Sequence, residues 1–149
     1  MQIESTALEI TEKVGEIIGR ALKGGEYIEL SSDIGGGKTT LTRSIVRGAG
    51  SADHVSSPTF TICKTYKAPK FEIRHFDFYR LDDVSLIKYE LQDIIDDPSL
   101  VIITEWGGVV EGVMPDRRLS VQIERTSETS RQISLKYPVE LKYLVEQVC

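Results

Sequence analysis

Apolar residues recur along this chain with two periods, and the switch between them marks out its elements. In "STALEITEKVGEIIGRALKGG", Leu8, Val14, Ile17, Ile18, Ala21 and Leu22 fall on one helical face. Thr6 and Glu9 have capping-box spacing, and Gly24-Gly25 supplies a stop. "EYIELS" is a short apolar strand, followed by a glycine-rich loop. "KTTLTRSIVRGAG" then places Leu41, Ile45, Val46 and Ala49 on a buried helical face before Gly48 and Gly50 end it. "TFTICKTYKAPKFEIRHFDFYRL" reads as two strands around a turn at Ala68-Pro69. "DVSLIKYELQDII" predicts a helix, and "SLVIITEW" a continuous apolar strand ending in an acid. "RRLSVQIER" and "RQISLKY" alternate as an antiparallel pair does, and a final helix is expected from Val139 to Val148. The pattern predicts a single α/β domain over residues 1–149, a mixed β-sheet with helices on both faces.

Composition narrows the partners more than the fold. With 40% apolar residues the chain can bury one real core. Its formal net charge of −5 disfavours a direct grip on nucleic acid, which draws its affinity from clustered Lys and Arg. Two distant cysteines (Cys63 and Cys149) and two histidines (His54 and His75) argue against a structural zinc site and suit a reducing cytoplasm. The first fifteen residues carry Glu4, Glu9 and Glu12 without an apolar run, unlike a signal peptide. No apolar stretch approaches the ~18 residues of a membrane span.

Candidate chemistry centres on "SSDIGGGKTTLTR", which reads as a phosphate-binding (Walker A) loop opening a helix. Glycines let successive N–H groups turn toward phosphate oxygens, the lysine reaches the outer phosphates, and the hydroxyl ligates Mg²⁺. Gly35, Gly36, Gly37, Lys38, Thr39 and Thr40 fill these positions, between a strand and a helix whose N-terminus adds partial positive charge. Ser32 stands where the pattern opens with glycine. If that position requires positive φ, a serine costs on the order of 1 kcal/mol there.

A nucleotide site of this kind also needs an acid near its metal. Glu105 ends the apolar strand "LVIITEW", at the edge where ligands bind in such sheets. Trp106 beside it would sense the nucleotide or a partner, or simply pack. In "HFDFYR", His75, Asp77 and Tyr79 share one strand face, while Phe76 and Phe78 turn to the core. The chain contains no asparagine, so the N-K-x-D segment that reads guanine is missing. Arg117-Arg118 is a poor match for the arginine-bearing lid of a small-molecule kinase. An ATP-hydrolysing switch is the simplest reading, with a nucleotide-sensing adaptor and a small-molecule kinase as alternatives.

In order and spacing, "SDIGGGKTT", "SSPTFT", "HFDFYRL", "IITEW" and "VMPDR" together resemble the TsaE family, from about Thr11 to Arg131. These are small bacterial P-loop ATPases of tRNA threonylcarbamoyladenosine biosynthesis. The resemblance implies a P-loop NTPase-like fold, ATP and Mg²⁺ as cofactors, and TsaB and TsaD as partners. Those partners transfer threonylcarbamoyl to adenosine 37 of tRNA, so tRNA would be met mainly through them, and the free chain would be a monomer. It implies that Gly35 to Thr40 hold the phosphates, that Thr39 and Glu105 place Mg²⁺, and that Lys38, Asp77 and Glu105 carry the hydrolysis. Thr11, Trp106 and Arg131 would line the nucleotide, and "SPTF" (Ser57 to Phe60) would act as a switch-type segment. Ser32, Gly36 and "KYELQDII" depart from the family's usual glycine, alanine and following glycine.

Overall fold

A computed structural model describes residues 1–32, 35, 37–56, 63–79 and 85–148. Seven strands form one sheet in the order β1-β7-β6-β2-β5-β4-β3. They are β1 (Gln2–Ser5), β2 (Tyr27–Ser32), β3 (Cys63–Lys67), β4 (Glu72–Asp77), β5 (Leu100–Glu105), β6 (Leu119–Arg125) and β7 (Arg131–Lys136). The centre, β6-β2-β5-β4, is parallel, and β1 with β7 on one flank and β3 on the other pair antiparallel. Every residue of β5 is buried, as its unbroken apolar run requires of a central parallel strand. β6 alternates, with Leu119, Val121 and Ile123 inward and Gln122 and Glu124 outward.

Helices α1 (Leu8–Ala21) and α2 (Lys38–Gly48) cover one face, joined by a 3-10 helix at Val139–Leu144. Helix α3 (Ser85–Ile94) and a 3-10 helix at Gly107–Val113 cover part of the other, over Tyr27, Phe76 and Ile102. Among the described residues, no helix is long and apolar enough to cross a membrane. α1 and α2 meet almost backbone to backbone. A Cβ on Gly19 would lie 2.1 Å from the Ile45 carbonyl oxygen, and one on Gly48 would lie 2.4 Å from that of Glu16.

Three expectations need correction. The capping box does not form: Ala7 is the N-cap without a side-chain bond, because β1 runs into α1 so directly that Thr6 lies one position too early. Leu8 is then 58% exposed rather than facing the core. The final helix is only a 3-10 turn ending at Leu144, enough to seat Leu141 and Leu144 at their i, i+3 spacing. Strand β1 is an addition to the expected elements, its four residues carrying no alternating apolar pattern.

Candidate functional site

Two described glycines of the loop after β2 hold left-handed backbone. Gly35 has φ 78° and Gly37 φ 108°, values that strain any residue with a Cβ. Ser32 is the last residue of β2, still paired with Ile123, and Trp106 is the one non-glycine residue with positive φ among those described. The serine therefore carries none of the strain considered for it. Gly37 caps α2, whose first bond runs from the Leu41 N–H to the Gly37 carbonyl at 3.0 Å. The first-turn amides of a helix such as α2 have no acceptor within the helix, which is why helix N-termini suit anions. Gly36 and the Ser57–Phe60 segment lie outside the described residues.

Lys38 reaches back across the loop. Its Nζ donates to the Ser32 carbonyl (3.1 Å) and lies 3.2 Å from the Ser32 hydroxyl. The same ammonium sits 4.9 Å from the centre of the Trp106 ring. Trp106 holds a left-handed conformation (φ 58°, ψ 41°) directly after β5, with its ring centroid 4.9 Å from that of Tyr79. A bulky aromatic in that region is a local strain worth roughly 1–3 kcal/mol.

The two acids arrive from neighbouring parallel strands. Asp77 ends β4, Glu105 ends β5, and the two are register partners. Both fall on the sheet face that carries Ile73, Val101 and Ile103, the face α2 covers. Asp77 is half-buried and its Oδ1 accepts the Tyr79 N–H at 2.9 Å. Burial, with the Glu105 charge adding to it, pushes the Asp77 carboxyl above the usual aspartate range. The Tyr79 N–H, His75 and Lys38 pull against that rise.

Glu105 is only 2% exposed. Its Oε2 lies 3.4 Å from Nε2 of the fully buried His75, within ion-pair range. Its Oε1 is buried without a hydrogen-bond partner among the described residues. A carboxylate oxygen left bare in the interior is costly unless something electropositive meets it. That oxygen and the Thr39 hydroxyl at the start of α2 are hard donors of the kind Mg²⁺ takes. No cluster of three or more His, Cys, Asp or Glu side chains is placed to hold a metal among the described residues. Mg²⁺ held by one or two protein oxygens together with phosphates needs no such cage.

On the opposite side of the loop is a cavity of about 460 Å³. Gly35, Gly37 and Thr40 of the loop and α2 line it together with Thr11 and Arg131. Arg131 is fixed there by Nη1, which donates to the carbonyls of Ser127 (3.2 Å) and Ser130 (3.0 Å). The structure thus gathers Lys38, Asp77, Glu105 and Trp106 on one side of the loop and Thr11, Thr40 and Arg131 on the other. Sequence reasoning missed Ser5 and Glu128, which also line the cavity. Ser5 sits on a four-residue strand with Ile3 as its one aliphatic residue, and Glu128 on a polar turn; neither carries a periodic signal.

The family model described as "Threonylcarbamoyl adenosine biosynthesis protein TsaE" matches residues 5–133. The chain belongs to the TsaE family. It is 32% identical over 130 residues to the tRNA threonylcarbamoyladenosine biosynthesis protein TsaE of Bacillus subtilis, covering 85% of this chain and 78% of that one. To the Streptomyces coelicolor TsaE it is 37% identical over 119 residues, covering 76% and 78% respectively. The crystal structure of Bacillus subtilis YdiB superimposes with a TM-score of 0.78 at 25% identity, covering 99% of this chain and 93% of that one. The fold is thus the P-loop-like α/β fold of a TsaE protein, and its place is in tRNA threonylcarbamoyladenosine biosynthesis.

Proposed function

We propose that this TsaE protein is a Mg²⁺-dependent ATPase that acts with TsaB and TsaD during threonylcarbamoylation of adenosine 37 in tRNA. The observation that carries this reading is the meeting of Lys38, Asp77 and Glu105 at the mouth of a glycine loop that opens a helix. Lys38 would exchange its Ser32 contacts for the outer phosphates of ATP, and the α2 amides would take the remaining oxygens. Thr39 and Glu105 would hold Mg²⁺, which when bound neutralises charge on the β- and γ-phosphate oxygens as the terminal group leaves. Asp77, anchored by the Tyr79 N–H, would orient the attacking water and accept its proton. Ser32 is extended and unstrained, so its departure from the glycine pattern does not weigh against hydrolysis. A formal net charge of −5 fits a protein that engages other proteins and leaves tRNA to them.

The test is phosphate release from Mg-ATP by the purified chain, alone and with cognate TsaB and TsaD, with Lys38→Ala and Glu105→Ala beside it. Low activity alone, a rise with partners and loss in both variants is the expected result. Nucleotide binding without hydrolysis in any mixture would replace this reading with the adaptor, and a phosphorylated small molecule in place of free phosphate would replace it with a kinase.

A further inference from the structure

Where the phosphate-loop pattern opens with glycine, this chain carries a hydroxyl, and that hydroxyl meets the loop's own lysine. Ser32 lies two residues beyond the fully buried Leu30 on β2 and in register with Ile123 of β6. Its side chain is therefore on the sheet face that α2 covers. Lys38 is the first residue of α2. Its ammonium donates to the Ser32 carbonyl at 3.1 Å and to the Ser32 hydroxyl oxygen at 3.2 Å, both in partly buried surroundings. It also rests 4.9 Å from the centre of the Trp106 ring. A glycine at this position could offer the carbonyl alone. Serine adds a second oxygen on the same residue, and an ammonium has three protons to share between acceptors.

We infer that the Ser32 hydroxyl competes with the outer phosphates of a nucleotide for Lys38, and so sets how tightly this loop holds its ligand. Phosphate oxygens attract the same protons that the two Ser32 oxygens already take. Binding exchanges one set of charged hydrogen bonds for another, so every acceptor that favours the empty loop reduces the net gain. The hydroxyl is such an acceptor, and it is present because the opening glycine is not. This rests on the nucleotide-binding reading above. It adds a residue that tunes affinity through Lys38, by stabilising the form of the loop that has no ligand.

The experiment is calorimetric titration of the full chain with Mg-ADP, which is not consumed during the measurement. Ser32→Ala, Ser32→Thr and Ser32→Val stand beside the wild type, because threonine and valine share a β-branched shape that a strand accepts and differ in the hydroxyl. Ser32→Ala and Ser32→Val should bind about 3–10-fold more tightly than the wild type, the worth of one hydrogen bond partly shared with water. Ser32→Thr, which keeps the acceptor, should stay within about twofold of the wild type. A role in shape alone would sort the variants by branching, with Ser32→Thr and Ser32→Val moving together, and would overturn the inference. Weaker binding in both variants without a hydroxyl would assign that group to the ligand's own phosphates and overturn it too, as would one affinity shared by all four chains. A folded wild type and a folded Ser32→Ala variant that bind neither Mg-ADP nor Mg-ATP would instead overturn the nucleotide reading itself, and this inference with it.

Discussion

The two walls of the phosphate loop are made of different material. The wall from β4 and β5, with Lys38 of α2 against it, is charged and incompletely satisfied: Lys38, Asp77, His75 and Glu105 crowd together, and among the described residues both His75 ring nitrogens and Glu105 Oε1 lack hydrogen-bond partners. The wall from β1, α1 and β7 is largely made of hydroxyls and fixed donors whose bonds are already made, Ser5 to Ala7 and Arg131 to Ser127 and Ser130. Unmet electrostatic capacity suits a wall where charge develops and moves. Met capacity, held rigidly, suits a wall that recognises a group and does nothing to it. Reaction and recognition would thus be assigned to opposite sides of one short loop.

Substitutions can separate the walls. The largest effect is expected for Lys38→Ala, which removes the ammonium proposed to bind and polarise phosphate. Hydrolysis should fall by at least about 10²–10³-fold. Turnover at the wild-type rate would mean that this wall does not carry the reaction. Asp77→Asn should lower kcat by roughly 10²-fold with little change in KM for ATP. Because burial favours the neutral carboxyl of Asp77, wild-type hydrolysis should fall with decreasing pH along a limb lying above the range of a free aspartate, and the variant should lack that limb. The same raised pKa means the folded state holds this proton more tightly than the unfolded chain. Stability from this group is therefore present at low pH and is lost as pH rises through the window between the two pKa values, a dependence that denaturant titrations of Asp77→Asn should lack.

Gly19→Ala tests the opposite claim, that the walls share a support. Thr11 rides on α1 and Lys38 on α2, and a methyl at Gly19 collides with the Ile45 carbonyl. It should cost about 1–3 kcal/mol in urea unfolding and degrade nucleotide affinity and turnover together. A loss confined to one of them would show that each helix is seated independently. The smallest change is expected for Glu16→Ala. Its ion pair with Arg47, at 2.5 Å, joins the same two helices but sits in solvent, and its removal should move stability by no more than about 0.5 kcal/mol.

Legibility in the sequence followed the same division. The charged wall could be read because it stands at the ends of strongly patterned strands. The apolar run of β5 delivers Glu105, and the aromatics Phe76 and Phe78 fix which way His75 and Asp77 turn. The wall from β1, α1 and β7 was harder. Thr11 and Arg131 were reached through family resemblance, and Ser5 not at all, because β1 is four residues long and owes its place to pairing with β7. The misplaced capping box has the same origin: without β1, Thr6 looks like the start of α1. Nor does a sequence pattern reveal that Glu105 lies against His75, since that contact depends on the register of β4 and β5.

Ser32 has a meaning beyond this chain. A search pattern that demands glycine at the head of such a loop treats one letter as a torsion-angle requirement. Here that position is an ordinary strand residue, and the torsions that matter belong to Gly35 and Gly37, farther along. A scan for loops of this class would keep the glycines next to the lysine, relax the opening letter to any small residue, and so retrieve chains that the strict spelling discards.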